Sequence, residues 1–179
     1  IANGVSVKET LLSEMSVEIA SCDNVIVHDG YVGFILNEKN DVIHSGIRSE
    51  MSIDFPFYEG DTVEYRWSIM LPKNDFPGAT RNRGEWWVIA QWHDQPDRYL
   101  GETWSTYKPS PPPAAIYIEI KHGVVGIGLK TMRDNKFKKH NWVPIPLDVW
   151  VNLDVTIHWS QTEKGFVNLM IDGETQHDV

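Results

Sequence analysis

Strict alternation of apolar and polar residues restricts this chain to β-structure more than any other feature of its sequence. Trp150–Trp159 carries its apolar residues on one parity and mostly polar residues on the other. A period of two is that of a β-strand, whose successive side chains point to opposite faces of the sheet. Similar segments recur at intervals of about ten residues, as in Val63–Leu71 and Ile116–Lys121. The pattern predicts an all-β sandwich of two antiparallel sheets, each with one buried face.

Turn residues between these segments predict hairpins. Asp29-Gly30 separates Asn24–His28 from Tyr31–Leu36, and Asp172-Gly173 follows Phe166–Ile171. Asp-Gly favours the two-residue hairpin turn because both of its central residues need a positive φ. We therefore expect antiparallel strand pairs on either side of these two dipeptides.

The two ends of the chain are less clearly patterned. Lys8–Ala20 has weak helical periodicity and is interpreted as either a short helix or an outer strand. The strand that returns from Asp172-Gly173 has barely begun when the sequence reaches Val179, and a missing partner strand would leave an exposed edge. We expect one domain, residues 1–179, whose last C-terminal strand or strands lie beyond Val179.

Charge limits the partners of the chain. The formal net charge of −9 argues against nucleic acid and anionic membranes, and no apolar run approaches the ~20 residues of a membrane span. Cys22 is the single cysteine, so no internal disulfide can form. We expect a monomer. Positive charge is nevertheless concentrated locally, in predicted loops that contain Arg81, Arg83, Lys130, Arg133, Lys136, Lys138, Lys139 and His140. Such a run is usually a solvated basic loop, but a groove lined by these loops could attract an acidic chain.

The tripeptide Gln91-Trp92-His93 ends an apolar, aromatic segment, Trp86–His93, that is typical of a β-strand. Alternation places Gln91 and His93 on one face and Trp92 on the other. An amide can neutralise a carboxylate by hydrogen bonding, and an imidazole can move a proton near neutral pH. These are two of the groups needed to abstract a proton next to a carboxylate. The alternative is a Gln–His pair on a solvent-exposed face.

A second polar group lies on an earlier predicted strand, Val42–Ile53. There the apolar residues share one parity, and Arg48 and Glu50 share the other. Arg48 could bind a carboxylate through two hydrogen bonds, with Glu50 holding it in place. The alternative is an ordinary exposed ion pair, which contributes little to stability.

Together these motifs resemble those of a known enzyme family. Arg48-Ser49-Glu50, then Gln91-Trp92-His93, then a late hairpin through Asp172-Gly173 resemble the β-jelly-roll polysaccharide lyases, most closely the heparin lyase I-like family, with alginate and glucuronan lyases as relatives. The resemblance extends from about Gly46 to Gly173. It implies a concanavalin A-like jelly roll with a concave substrate groove. It also implies a secreted, extracellular or periplasmic lyase that cleaves a uronic-acid-containing polysaccharide by β-elimination.

The resemblance also implies roles for individual residues. Gln91 and Arg48 would bind the uronate carboxylate, and His93 would abstract the proton or bind the carboxylate. The family's acid is commonly a Tyr within a Tyr-x-Lys-x-Gly-x-Tyr-like pattern, which does not occur before Val179. Either the strand that carries it lies beyond Val179 or the protein lacks this acid, and Tyr117 is the best substitute in the sequence. The expected substrate-binding residues are Glu50, Lys121, Arg81, Arg83, Lys130, Arg133 and Trp104.

Two other functions remain open at this stage. A glycoside hydrolase on the same sandwich would need paired carboxylates, for which Glu50 and Glu119 are candidates. A lectin-like, non-catalytic carbohydrate-binding module would use exposed aromatic residues such as Trp86, Trp104 and Trp142, although core packing is the usual role of a single Trp. We expect no metal site in catalysis and no required cofactor. The Asp and Asn residues in turns leave room for structural calcium.

Overall fold

The computed structural model describes residues 15–43, 46–53, 58–76, 86–94, 96, 100–103, 105–107, 111–133, 136–160 and 162–178. These residues form β-strands and two short 3-10 turns, Cys22–Asn24 and Lys73–Asp75, and none of the described residues is in an α-helix. In this part of the chain no helix is long and apolar enough to cross a membrane. The strands are β1 (Met15–Ile19), β2 (Val25–His28), β3 (Tyr31–Phe34), β4 (Ser49–Ile53), β5 (Thr62–Ile69), β6 (Trp86–Trp92), β7 (Ala114–Lys121), β8 (Val124–Arg133), β9 (Lys136–Pro144), β10 (Val151–His158), β11 (Phe166–Ile171) and β12 (Glu174–Asp178).

The chain divides into two compact units, and the first is Ile1–Pro56. It contains the antiparallel pair β1 and β4 and the predicted hairpin of β2 and β3, which is confirmed. Asn24 is buried and joins these parts: its amide Nδ2 donates to the carbonyl of Ile35 at 3.0 Å, and its own carbonyl accepts from Ser49 Oγ at 2.7 Å. Residues 15–19 of the ambiguous N-terminal segment form the outer strand; residues 8–14 lie outside the described residues.

The second unit, Phe57–Val179, is a sandwich of two four-stranded antiparallel sheets. The back sheet has the order β12-β11-β10-β5 and the front sheet the order β6-β7-β8-β9. Their inner faces share one core, as the alternation predicts, so the all-β sandwich is confirmed. The core consists of Ala114, Ile116, Ile127, Leu129, Ile145, Val151, Leu153, Val155, Ile157, Val167, Leu169 and Ile171.

Two sequence interpretations need correction. The basic run after Lys130 does not form a loop: it continues along β8 and into β9, Lys136–Pro144. β9 is an edge strand of the front sheet, where lysines are common because they discourage pairing with another chain, so apolar alternation does not reveal it. The strand after Asp172-Gly173 is also longer than expected, because Glu174–Asp178 pairs with β11. The proposed further strand beyond Val179 stays a prediction.

The burial of β4 is also weaker than its alternation predicts. The strand begins at Ser49 instead of Val42, and Ile53, which the pattern places on a buried face, is 49% exposed. β4 pairs only with β1 among the described strands, and a two-stranded ribbon cannot by itself cover either of its faces.

The turn at His122-Gly123 sets the register that matters for the outer face of the front sheet. Both residues have positive φ, 49° and 79°, which matches a tight hairpin turn between β7 and β8. The turn pairs Lys121 with Val124, and the pairing continues until Tyr117 lies opposite Gly128. Which outward-facing side chains become neighbours therefore depends on this turn.

Candidate functional site

The outer face of the front sheet contains a groove of about 170 Å³. All four strands of the sheet contribute side chains to its lining, and the segment before β7 adds Pro112. The groove mixes aromatic, cationic and amide groups, so it can offer both ring faces and anion-binding donors to a bound molecule. Its lining residues are Trp86, Val88, Gln91, Pro112, Ala115, Tyr117, Lys130, Phe137 and Lys139.

One row of paired residues crosses the middle of this groove. Gln91 on β6 pairs with Ala115 on β7, Ala115 pairs with Lys130 on β8, and Lys130 pairs with Lys139 on β9. Neighbouring strands lie about 4.8 Å apart, so the Gln91 and Lys130 backbones flank a small Ala115 at a separation of roughly 10 Å. Gln91 and Lys130 therefore extend from strands on either side of the small, buried Ala115, and an amide and an ammonium are groups that can bind a carboxylate.

A bulge in β6 brings Gln91 into this row. The register of β6 and β7 shifts between Val88 and Ala90, and both Ile89 and Ala90 pack against the core. Val88 and Gln91 are three positions apart and would face opposite sides of a regular strand, but the bulge lets both line the groove. The predicted contrast between inward Trp92 and outward Gln91 is confirmed.

Tyr117 lies in the next row of the groove. Its ring crosses β8 above Gly128: a Cβ atom at Gly128 would lie only 2.4 Å from Cζ of the ring. The Tyr117 hydroxyl is buried and has no hydrogen-bond partner among the described residues. Burial, and secondly the charge of Glu119, raise the pKa of Tyr117. The hydroxyl therefore keeps its proton near neutral pH, and the residue as a whole is only 2% exposed.

This packing leads to a prediction for Gly128→Ala. The added methyl group has to displace the Tyr117 ring, so we expect the free energy of unfolding to fall by about 1–3 kcal/mol. Chemical denaturation measures this change. Gly33→Ala is a matched control in another strand, because its Cβ would meet nothing closer than 3.7 Å. In a Tyr117→Ala background Gly128→Ala should cost much less, and an unchanged cost there would show that the ring is not the obstacle.

Lysines and aromatic rings alternate over the same face. Lys130 Nζ lies 3.6 Å from the centroid of the Phe137 ring and 5.8 Å from that of Trp86. Lys139 Nζ lies 5.2 Å above the Tyr117 ring and 3.9 Å from Glu119 Oε1. Ring faces hold the ammonium groups over the sheet by cation–π attraction. The groove is thus locally cationic in a protein whose net charge is −9.

Lys121 extends this arrangement beyond the groove lining. Its Nζ lies 3.2 Å from Glu119 Oε2 and 5.5 Å above the ring of Trp142. The Trp142 ring covers Gly126, and its Nε1 donates to the carbonyl of Glu119 at 2.8 Å. Lys121 is on the same face as Tyr117, as predicted, with its charge partly compensated by Glu119.

His93 follows the last residue of β6 and contacts Asp94, which in turn contacts Tyr107. Its Nδ1 lies 3.4 Å from Asp94 Oδ1, and the Tyr107 hydroxyl donates a hydrogen bond to Asp94 Oδ2. His93 is not among the described residues that line the groove, and its catalytic role stays a prediction. Tyr107 was missed as a functional candidate, and Asp94 was considered only among the turn residues that could bind structural calcium. The long polar segment Asp94–Pro113 is the one sequence signal that points to them.

The remaining predicted site residues are distributed as follows. Arg48 and Glu50 lie in the first unit and form the expected ion pair, with 3.1 Å between Nη1 and Oε1. Their predicted role in carboxylate binding stays a prediction. Arg81, Arg83, Trp104 and the side chain of Arg133 lie outside the described residues.

Four groove residues were absent from the sequence-based set of site residues: Val88, Pro112, Ala115 and Phe137. Lys139 was named there only as part of the basic run. Ala115 and the glycines opposite Glu119 and Tyr117 share a signal that could have revealed them. Small residues on the outward parity of a strand leave room for a ligand or for neighbouring aromatic rings.

In the part of the chain that the structure describes, no three His, Cys, Asp or Glu residues are grouped so that they could hold a metal ion. Structural calcium stays a prediction.

Comparison with known proteins identifies one family. A family model described as "Polysaccharide lyase" matches residues 14–179, a region that contains all of the described residues. No significant match was found among curated proteins or among solved structures.

Proposed function

The chain belongs to the polysaccharide lyase family, and from this premise we propose that it cleaves a uronic-acid-containing polysaccharide by β-elimination in the groove of the front sheet. The observation that carries the proposal is the row Gln91–Ala115–Lys130, which brings an amide and an ammonium side chain into one groove on either side of a small residue. The Arg-Ser-Glu and Gln-Trp-His motifs support a position near the heparin lyase I-like group within the family.

Elimination begins at the uronate carboxylate. The C5 proton becomes acidic once the charge of the neighbouring carboxylate is neutralised. In the proposed complex the Gln91 amide donates a hydrogen bond to this carboxylate, and the Lys130 ammonium forms an ion pair with it. Negative charge develops further on the carboxylate as the proton leaves, so donors that are already in place stabilise this step most. A carboxylate-binding role for Arg48, which lies in the first unit, is proposed from its sequence motif alone.

Proton transfer completes the reaction. His93 takes the proton from C5, the electron pair of the C–H bond forms the C4=C5 double bond, and the bond from C4 to the glycosidic oxygen breaks. Tyr117 then gives its proton to the departing oxygen. The hydroxyl is protonated at neutral pH, as a general acid must be, although its raised pKa makes it a weaker acid than an ordinary tyrosine. The products are one fragment with a new reducing end, which carries the protonated oxygen, and a second fragment with an unsaturated uronate at its new non-reducing end.

The lining of the groove favours this chemistry over hydrolysis. Hydrolysis by paired acids requires two carboxyl groups that face the scissile bond. The described residues that line the groove include no carboxylate, and Glu119 beside it already interacts with Lys121 and Lys139. A lectin would explain the aromatic rings equally well, so the cleavage test separates it from the lyase.

The activity can be tested directly on four polymers. Alginate, glucuronan, heparin and pectate are incubated with the protein, and the ultraviolet absorbance of the conjugated double bond in the product is followed. Absorbance that rises with at least one polymer is the expected result. Cleavage without this absorbance would identify a hydrolase, and tight binding of a polymer without cleavage would identify a lectin-like module.

Lys130→Gln provides a further prediction on the active polymer. The substitution keeps most of the side chain but removes the charge, so we expect kcat/KM to fall by about 10–100-fold, the value of one charge-assisted hydrogen bond. Lys164→Gln is the matched control, since Lys164 is exposed and distant from the groove lining. Equal rates for the two variants would remove Lys130 from the site.

The cellular setting follows from the same proposal. We propose a secreted or periplasmic monomer whose partner is an acidic polysaccharide, with neither nucleic acid nor membrane as a partner. No cofactor is required in this mechanism, and any calcium would be structural.

A further inference from the structure

We propose that Asp94 and Tyr107 are positioning residues for His93: Asp94 holds the imidazole in the tautomer protonated at Nδ1, and Tyr107 holds Asp94. The inference rests on the proposed function, in which His93 removes the C5 proton. It adds two residues to the reaction, neither of which contacts the substrate.

The contact between His93 and Asp94 determines which ring nitrogen carries the proton. His93 Nδ1 lies 3.4 Å from Asp94 Oδ1. An ionised carboxylate only accepts hydrogen bonds, so the pair forms a hydrogen bond only when Nδ1 is the donor. In a neutral imidazole Nε2 is then unprotonated and carries the lone pair that a general base needs. The other tautomer would present an N–H group to the substrate proton.

The second oxygen of Asp94 is held by Tyr107. The Tyr107 hydroxyl donates to Asp94 Oδ2, so the two carboxylate oxygens have different donors. Burial, and next the hydrogen bond to Asp94, raise the pKa of Tyr107 far above its ordinary value. The hydroxyl is therefore a permanent donor, and it keeps the carboxylate from turning away from His93.

Tyr107 is in turn anchored by its own backbone. Its N–H donates to the carbonyl of Thr103 at 2.8 Å, and the Thr106 N–H donates to the same carbonyl at 3.0 Å. The Thr106 Oγ1 also accepts from the Thr103 N–H at 3.0 Å. These hydrogen bonds fix the backbone of Tyr107 within the long polar segment between β6 and β7. Tyr107 is therefore held in position to contact Asp94.

The tautomer can be measured without any substrate. Nitrogen-15 correlation spectra of the histidine rings are recorded at a pH where the imidazoles are neutral, and His93→Gln identifies the His93 signals. The parent protein should show Nδ1 protonated and Nε2 unprotonated. Asp94→Asn should increase the Nε2-protonated tautomer, because an amide nitrogen can donate to Nδ1. Asp94→Glu, which keeps a carboxylate, should retain more of the parent tautomer, and Tyr107→Phe should cause a smaller shift than Asp94→Asn.

Kinetics on the active polymer provide the second measurement. Asp94→Asn should lower kcat by about 10-fold or more with little change in KM, because substrate contacts are intact and only proton transfer is impaired. Tyr107→Phe should lower kcat in the same direction by less. Asp75→Asn and Tyr58→Phe are matched controls at exposed positions and should leave kcat unchanged.

The two measurements separate this inference from the proposed function. A parent His93 protonated at Nε2, or a tautomer that Asp94→Asn does not alter, overturns the positioning role whatever the activity. An active enzyme whose kcat is unchanged in Asp94→Asn also overturns it, while the lyase function stands. A protein that cleaves no uronate polymer refutes the proposed function, and the spectra still decide whether Asp94 fixes the His93 ring.

Discussion

Tyr117→Phe should lose most of the lyase activity while the protein remains at least as stable as the parent. General acid catalysis contributes about 10²–10⁴-fold to a rate, so we expect kcat to fall by that order when the hydroxyl is removed. The hydroxyl is buried without a partner among the described residues, so its removal leaves no polar group unsatisfied. Loss of activity without loss of stability would separate a catalytic role for Tyr117 from a structural one.

The matched control for this variant is Tyr65→Phe. Tyr65 is on β5 of the back sheet, and its hydroxyl is also buried, but it packs against the core and contacts Trp92 at a ring-centroid distance of 5.2 Å. Tyr65→Phe should leave kcat within about twofold of the parent, because the residue is not part of the groove lining. Full activity in Tyr117→Phe would exclude Tyr117 as the acid, and the proton donor would then have to be sought elsewhere in the chain.

Trp92→Ala should have the largest effect on stability. The Trp92 indole packs between the sheets, 5.2 Å from the ring of Tyr65 and 6.4 Å from that of Trp67. Removing it leaves a cavity, and we expect the free energy of unfolding to fall by about 3–5 kcal/mol. Urea denaturation measures the loss. Any activity that survives at low temperature should have a near-normal KM, since Trp92 does not line the groove.

The adjacent variant Gln91→Ala is the internal control and should behave in the opposite way. Its side chain faces the groove, so stability should change little, and the rate should fall by about 10²–10³-fold if Gln91 is a donor to the developing charge. Comparable losses of stability in the two variants would contradict the strand orientation. Unchanged turnover in Gln91→Ala on a polymer that the parent cleaves would remove Gln91 from the reaction.

The orientation of individual side chains was accessible from the sequence. Alternation correctly placed Trp92 in the core and Gln91 outside it, and it placed Ile116 and Tyr117 on opposite faces of β7. The reason is local: successive residues of any regular strand point to opposite sides, whatever the rest of the fold does. Prediction failed where a strand shows no alternation of apolar and polar residues, as in the lysine-rich edge strand Lys136–Pro144.

Proximity between strands was not accessible in the same way. The local sequence of Val88–Gln91 does not predict the bulge in β6. That bulge is the reason why both Val88 and Gln91 face the groove. Likewise, Ala115 and Gly128 look unremarkable in their own strands, and their importance lies in what faces them across the sheet.

The amino-acid pattern alone thus defines an all-β sandwich and identifies which of its side chains point away from the core. Only the tertiary structure decides that Gln91, Ala115 and Lys130 form one row, and that Tyr117 occupies the next row over Gly128. The physical reason is that register is a property of strand pairs. Register depends on turns such as His122-Gly123 and on bulges. A register shift of a single residue would move a side chain to the opposite face of the sheet, so that Gln91, Ala115 and Lys130 would no longer be neighbours.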